Sequence, residues 1–287
     1  SYSAKEPLPD SATHSEWAEV AVLRPDWNPA SPRLTVTHAG ESVGLELESA
    51  RDLIWSGPWG LEVRRDGERL APKSAWESLC WFSDRDVDYL ELGISLEGGV
   101  KVQRHLLLAR EDRVLLLADA VLGAARAHLE YQGSLPLVDG VRFQPAEESR
   151  EGFLVGRDRA ALVLPLALSE WRSDARVGTL ETSADGLELR QEAEGCCLFA
   201  PLLFDLKSRR MTRRLTWRRL TVAANLEIEP DDVAVGYRIA IDKQQWLLYR
   251  SLARPANRTL LGHNLSTEML MARFDRSGDV EPLAEIE

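Results

Sequence analysis

The 287-residue sequence predicts an all-β fold, a large antiparallel β-sandwich with few short helices, on three observations. Apolar residues recur with a period of two rather than 3.6. Gly- and Asp-containing turn signals return about every ten residues. One segment, Val114 to Val121, is apolar at almost every position. Such a run fits a strand covered on both faces, so a stack of more than two layers stays open.

The elements follow in chain order. Leu34 and Val36 alternate with Thr35 and Thr37, and Val43, Leu45 and Leu47 alternate with Gly44, Glu46 and Glu48. Each alternation puts one face on a core and the other in water. Leu61 and Val63 lead to Asp66-Gly67, a hairpin signal. The clearest hairpin spans residues 89–108: Leu90, Leu92, Ile94 and Leu96 share a face, Gly98-Gly99 turns the chain, and Val100 and Val102 return. Glu111-Asp112-Arg113 then separates it from the apolar run. Later come Leu187 and Leu189 after Asp185-Gly186, the run Leu198 to Phe204 broken by Pro201, and the alternation Val233 to Asp242. Helical alternatives are Ala118 to Tyr131, rich in helix formers, and one turn within Leu166 to Ala175.

Residues 1–15 are polar, hold Pro7 and Pro9, and lack the apolar run of a signal peptide, so they read as a linker or tail. Residues 16–287 show no fixed repeat and no low-complexity break, and read as a single large β-sandwich domain. No stretch approaches the apolar length of a membrane span, so a soluble chain with no membrane partner is expected. The compartment is not legible. A net charge of −11 argues against a nucleic-acid partner. Cys80, Cys196 and Cys197 form neither a disulfide framework nor a zinc pattern and read as small hydrophobes. No cofactor and no metal site is expected.

Three segments together resemble a known family. Glu16 to Trp27 reads EWAEVAVLRPDW, a strand carrying an Arg before an Asp-Trp turn. His38 to Gly60 runs from a His-bearing turn through an acidic strand to a Gly-containing turn. Val102 to Tyr131 holds Arg104, an apolar run with Asp119 near its end, then His128 and Tyr131. This pattern resembles the C-terminal β-sandwich half of heparinase II/III-like polysaccharide lyases over residues 16–145. The resemblance implies a lyase-like architecture and an N-terminal helical toroid that supplies the tyrosine chemistry, a domain this sequence does not contain. The family's His-rich turn is reduced here to His38 in Thr37-His38-Ala39-Gly40-Glu41. A lyase needs a base, an acid and a neutralising group for the carboxylate. Only His38, Asp119 and His128 offer themselves, and they do not make a full set.

Binding candidates are more concrete. Lys207 to Arg219, KSRRMTRRLTWRR, holds seven cations, and Arg209, Arg210, Arg213, Arg214 and Arg218 with Trp217 could grip an acidic polysaccharide. If Leu215 and Trp217 face a core, only part of this run shares a surface. Trp55 and Trp59, in a Trp-rich stretch with Trp76 and Trp81, are candidate sugar platforms or core residues. Asp84, Asp86 and Asp88 alternate, but Tyr89 and Ser95 stand where a calcium loop needs Gly and Glu. His105 alternates with Lys101 and Gln103 and is expected on a polar face.

Three readings stand at this level. The first is a carbohydrate-associated domain, not competent alone, that binds or shapes a site for acidic polysaccharide. The second is a structural or interaction domain with buried Trp residues and a paired-out Arg run. The third is a complete lyase or sugar-modifying enzyme. Open strand edges also leave room for a homodimer.

Overall fold

The computed structural model describes residues 8–174, 178–184, 186–275 and 277–287. Ser1–Pro7, Ala175 and Asp185 of the sequence expectations lie outside them. Four antiparallel sheets are formed by the described residues. The N-terminal sheet holds Thr13–Ser15, Val20–Leu23, Arg33–Thr37, Gly44–Ser49 and Asp52–Pro58 in chain order. The first of these strands lies within the expected tail. Thr13 pairs with Val22 and Ala12 is buried, so the ordered domain begins before residue 15.

The central sheet has eleven strands. Its middle is formed by Val87–Ser95, Lys101–Ala109, Val114–Leu135 and Gly186–Asp205. The C-terminal sheet orders Leu215–Leu220, Ala234–Ile241, Gln244–Ser251, Met269–Phe274 and Val280–Ile286. A small four-stranded sheet, including Val222–Ala224 and Arg258–Leu260, packs outside it around Tyr249, Leu260 and Leu270.

The alternation of the central strands explains the layering. Leu115, Leu117 and Val121 join the core shared with Leu34, Leu45, Leu47 and Trp55 of the N-terminal sheet. Val114, Leu116, Ala118 and Ala120 join the core shared with Trp217, Ile239, Trp246 and Leu248 of the C-terminal sheet. The central sheet is therefore covered on both faces, and its apolar run has no polar side to spare. The architecture is an all-β sandwich of stacked layers.

Ala118 to Tyr131 is strand, not helix. Its helix propensity yields because the segment is hydrogen-bonded into the central sheet and buried on both faces up to Val121 and on the N-terminal-core face beyond the bulge, and burial outweighs intrinsic preference. The pairing with Gly186–Asp205 slips only between Leu122 and Ala127, where Gly123 to Arg126 bulge outward. The expected turn after Leu166 is not a helix among the described residues; the only helical turns there are the 3₁₀ segments Glu97–Gly99 and Ser208–Arg210. Asp66 and Gly67 both have positive φ, as a tight hairpin between strands of right-handed twist requires.

Beyond the bulge the central sheet changes character. Leu129, Tyr131, Leu187 and Leu189 still face the N-terminal core. On the opposite face His128, Glu130 and Gln132 stand across from Glu194, Glu192 and Arg190, and no residue of this half joins the C-terminal core. The long strands overhang the C-terminal sheet and leave a polar half-sheet in solvent.

Candidate functional site

The arginine segment folds as a loop leading into the edge strand Leu215–Leu220. Its anchor is Arg210, which is buried. The Nε and Nη2 groups donate to both carboxylate oxygens of Asp205 at 2.8 and 2.5 Å. Nη1 donates to Gln244 at 2.6 Å, Nη2 also reaches the Asp112 carbonyl, and the guanidinium lies 5.0 Å from the Trp246 ring centre. Burial pushes the Asp205 carboxyl up, and Arg210 opposes that shift. Arg210 thus leaves the set of expected ligand residues: every face of its guanidinium is engaged internally.

Trp217 leaves it as well. The ring is buried in the second core and its Nε1 donates to the Leu168 carbonyl at 3.1 Å. Arg209, Arg213, Arg214 and Arg218 remain exposed. Among the described residues their guanidinium groups have no hydrogen-bond or ion-pair partner, whereas Arg219 pairs with Asp231. Lys243 extends the cationic surface, because the amide of its neighbour Asp242 donates to the Arg214 carbonyl at 2.8 Å. Arg159 approaches from the other side, with Nη1 3.4 Å from the Met211 carbonyl. The result is a cationic surface on a strongly anionic protein.

The Trp-rich stretch is core. Trp55 is fully buried, 5.1 Å between ring centres from Phe204. Trp59 and Trp76 are buried and clasp Arg104, at 3.7 and 4.7 Å from guanidinium to ring centre. Neither Trp55 nor Trp59 presents a face to a sugar ring. Arg104 stands directly across from Asp119 and binds it through two parallel bonds of 2.8 Å. Its Nη1 donates to the Trp59 carbonyl at 3.0 Å, and the Tyr131 hydroxyl donates to Asp119 Oδ2 at 2.8 Å. Burial and the adjacent Asp119 carboxylate hold the Tyr131 phenol well above its ordinary range, so it stays a donor.

The three weak catalytic candidates do not converge. Asp119 is buried in the first core, locked to Arg104. His38 is buried at the N-terminal sheet, its Nε2 3.3 Å from His14 Nε2, and burial lowers its pKa. His128 lies on the opposite face of the central sheet from Asp119, with Nδ1 2.9 Å from Glu194. A complete enzyme built on these residues is not what the geometry provides.

Sequence reasoning missed a second polar cluster. His105 is fully buried, facing the C-terminal core and not a polar surface. The Tyr89 hydroxyl donates to Glu91 Oε2 at 2.8 Å and stands 2.8 Å from His105 Nδ1. With its one hydrogen directed at Glu91, Tyr89 accepts from an Nδ1–H tautomer of His105. Arg250, also fully buried, bridges to Gln103 and Glu268 at 2.5 Å each. The Arg250–Glu268 pair ties neighbouring C-terminal segments together. Arg273 pairs with Asp112 at 2.8 Å. On that face of the strand His105 stands between the polar Lys101 and Gln103 and the apolar Leu107 and Ala109, so local alternation points both ways.

Burial and then the charge of Arg250 hold the His105 pKa well below 6.5. The unfolded chain takes up a proton on this ring below pH 6.5 and the folded chain does not, so stability falls with pH. His105 alone contributes about 1 kcal/mol of loss between pH 7.5 and 5.5. Urea unfolding of His105→Gln, whose side-chain amide keeps a donor for the Tyr89 hydroxyl, is expected to show a shallower acid limb than wild type. Parallel pH profiles would contradict a neutral buried ring.

The acidic triplet is structural. Asp84 caps the turn by accepting from the amides of Asp86 and Val87, and Asp88 turns inward to Arg110 and Ser83. Among the described residues, no group of three His, Cys, Asp or Glu side chains is placed to hold a metal ion. Nor is any helix long and apolar enough to cross a membrane.

A stack of antiparallel sheets with its polar clusters locked between layers defines an all-β sandwich scaffold. Among solved structures, the chain is similar to the heparinase III BT4657 gene product, with a TM-score of 0.57 and 9% identity over 85% of this chain. It is similar to the heparan sulfate lyase HepC from Pedobacter heparinus, with a TM-score of 0.55 and 11% identity over 84% of this chain. The chain spans 43% and 42% of those proteins, an extent consistent with a C-terminal half. At this identity the likeness establishes the fold. No family model matches the sequence, and no curated protein matches it.

Proposed function

We propose that this chain is a carbohydrate-associated β domain that binds acidic polysaccharide and carries no complete catalytic set of its own. The observation that supports it is the exposed, unpaired set Arg209, Arg213, Arg214 and Arg218 on a loop anchored by Arg210. In a chain of net charge −11, four guanidinium groups without acidic partners are a surface kept for an external anion. The fold shared with a protein described as a heparan sulfate lyase supports the choice of a polysaccharide. Catalysis would fall to groups beyond these residues, with an N-terminal helical domain as the natural supplier.

Calorimetry against acidic and neutral polysaccharides, at low and moderate salt, tests this. Acidic chains are expected to bind with strong salt dependence, and neutral chains not at all. Arg213→Ala combined with Arg214→Ala removes two charge-assisted contacts and is expected to weaken binding about tenfold. Unchanged affinity in that variant would remove the loop from the site. The competing reading, a structural or interaction domain, draws support from the buried Trp55, Trp59 and Trp76. It requires a paired-out arginine run as well, and four of these arginines are not paired.

A further inference from the structure

We propose that two copies of this chain associate with the arginine loop of each seated on the acidic half-sheet of the other. The half-sheet is the part of the central sheet that the C-terminal layer leaves uncovered. Its solvent face carries Glu62, Glu130, Glu181, Glu192 and Glu194, against Arg64, Arg69 and Arg190. Arg64 is already committed to Glu62, and Arg190 to the buried Glu188. Among the described residues, Glu192 and Glu194 have no Lys or Arg ion-pair partner and contact only the His128 ring, and their side chains are 45% and 67% exposed. The face is therefore a surplus of carboxylates, as the loop is a surplus of guanidinium groups.

Their placement makes the pairing reciprocal. A groove between the half-sheet and the C-terminal sheet is lined by Glu192 and Glu194 of the half-sheet and by Arg219, Asp231 and Asp232, with Arg219 paired to Asp231. Arg219 lies one residue before the end of the edge strand Leu215–Leu220 that the arginine loop leads into. From Arg214 to Arg219 an extended strand covers about 17 Å. Acidic and basic patches thus lie side by side along one edge of the molecule. A twofold axis passing between them brings each patch onto its opposite in the other copy, closing a dimer without free ends. The attraction is local while the net charges of the two copies repel, so the association depends on salt and is reversible. It uses the arginines that the polysaccharide reading uses, but it needs no ligand. An anionic polysaccharide competes with the second copy for the same loop.

Sedimentation velocity of the whole chain tests this. Wild type is expected to show dimer at low salt and monomer at about 0.5 M salt, where the screening length falls to a few ångströms. Arg213→Glu with Arg214→Glu, and separately Glu192→Arg with Glu194→Arg, are each expected to be monomeric at low salt. An equimolar mixture of the two variants is expected to dimerise again, because both contacts then regain opposite charges. A monomeric wild type at low salt, dimerisation of either variant alone, or failure of the mixture would each overturn the proposal. Calorimetry with polysaccharide on the Glu192→Arg, Glu194→Arg variant, which keeps the loop, separates this outcome from failure of the polysaccharide reading.

Discussion

Asp119→Ala is expected to destabilise the protein by about 3–5 kcal/mol, the usual effect of stranding one member of a buried ion pair. Arg104 has zero exposure, so its charge cannot be rehydrated without opening the first core. Two of its bonds end on the Asp119 carboxylate, and the Tyr131 hydroxyl loses its acceptor in the same step. The two indoles that clasp the guanidinium, Trp59 and Trp76, soften the loss without replacing the countercharge. The combined variant Arg104→Met, Asp119→Leu, Tyr131→Phe removes the whole network, and its stability should return most of the way to wild type. Urea midpoints with matching m-values decide between the cases. A single Asp119→Ala variant within 1 kcal/mol of wild type, on the scale of an ordinary surface substitution, would mean the pair is not the internal fastener described.

How far the sequence could be read follows from what each residue type reports. The strands were legible because sheet burial imposes a period of two, and because Val114 to Val121 has no polar side. The pairing of Arg104 with Asp119 was within reach too: a hairpin closing at Ala109 and Val114 sets those residues opposite one another. Their role was not legible, since an Asp inside an apolar run looks the same whether it waits for a substrate or for an arginine. Layer assignment was likewise hidden. His105 shares its alternation with Lys101 and Gln103, and only the C-terminal sheet, more than a hundred residues later, turns that face into a core. The arginine loop shows the limit most directly. Seven cations in thirteen residues marked the segment, but Arg209 and Arg210 are neighbours with opposite fates, and nothing local distinguishes them.

That difference within the loop yields the second large effect. Arg210→Ala is expected to lower stability by about 3–5 kcal/mol and also to weaken polysaccharide binding, although it alters no exposed arginine. Asp205 is left buried without its countercharge, Gln244 loses a donor, and the Trp246 ring loses the guanidinium beside it. The loop from Lys207 to Arg214 then loses its buried side-chain anchor and keeps its backbone turns and the Arg159 contact to the Met211 carbonyl. Arg213→Ala with Arg214→Ala should behave in the opposite way, leaving stability within about 0.5 kcal/mol while affinity drops. The stranded carboxylate adds a pH signature. Burial already raises the Asp205 pKa, and removing Arg210 raises it further. A raised folded-state pKa means that the folded protein gains protons more readily than the unfolded chain, so lowering the pH favours folding at this group. The stability deficit of Arg210→Ala relative to wild type should therefore shrink between pH 7 and pH 5, because the buried charge is neutralised by a proton instead of by arginine. A deficit that stays constant over that range would place its origin in lost packing against Trp246 and Gln244, and would remove Asp205 as the reason the loop needs its arginine anchor.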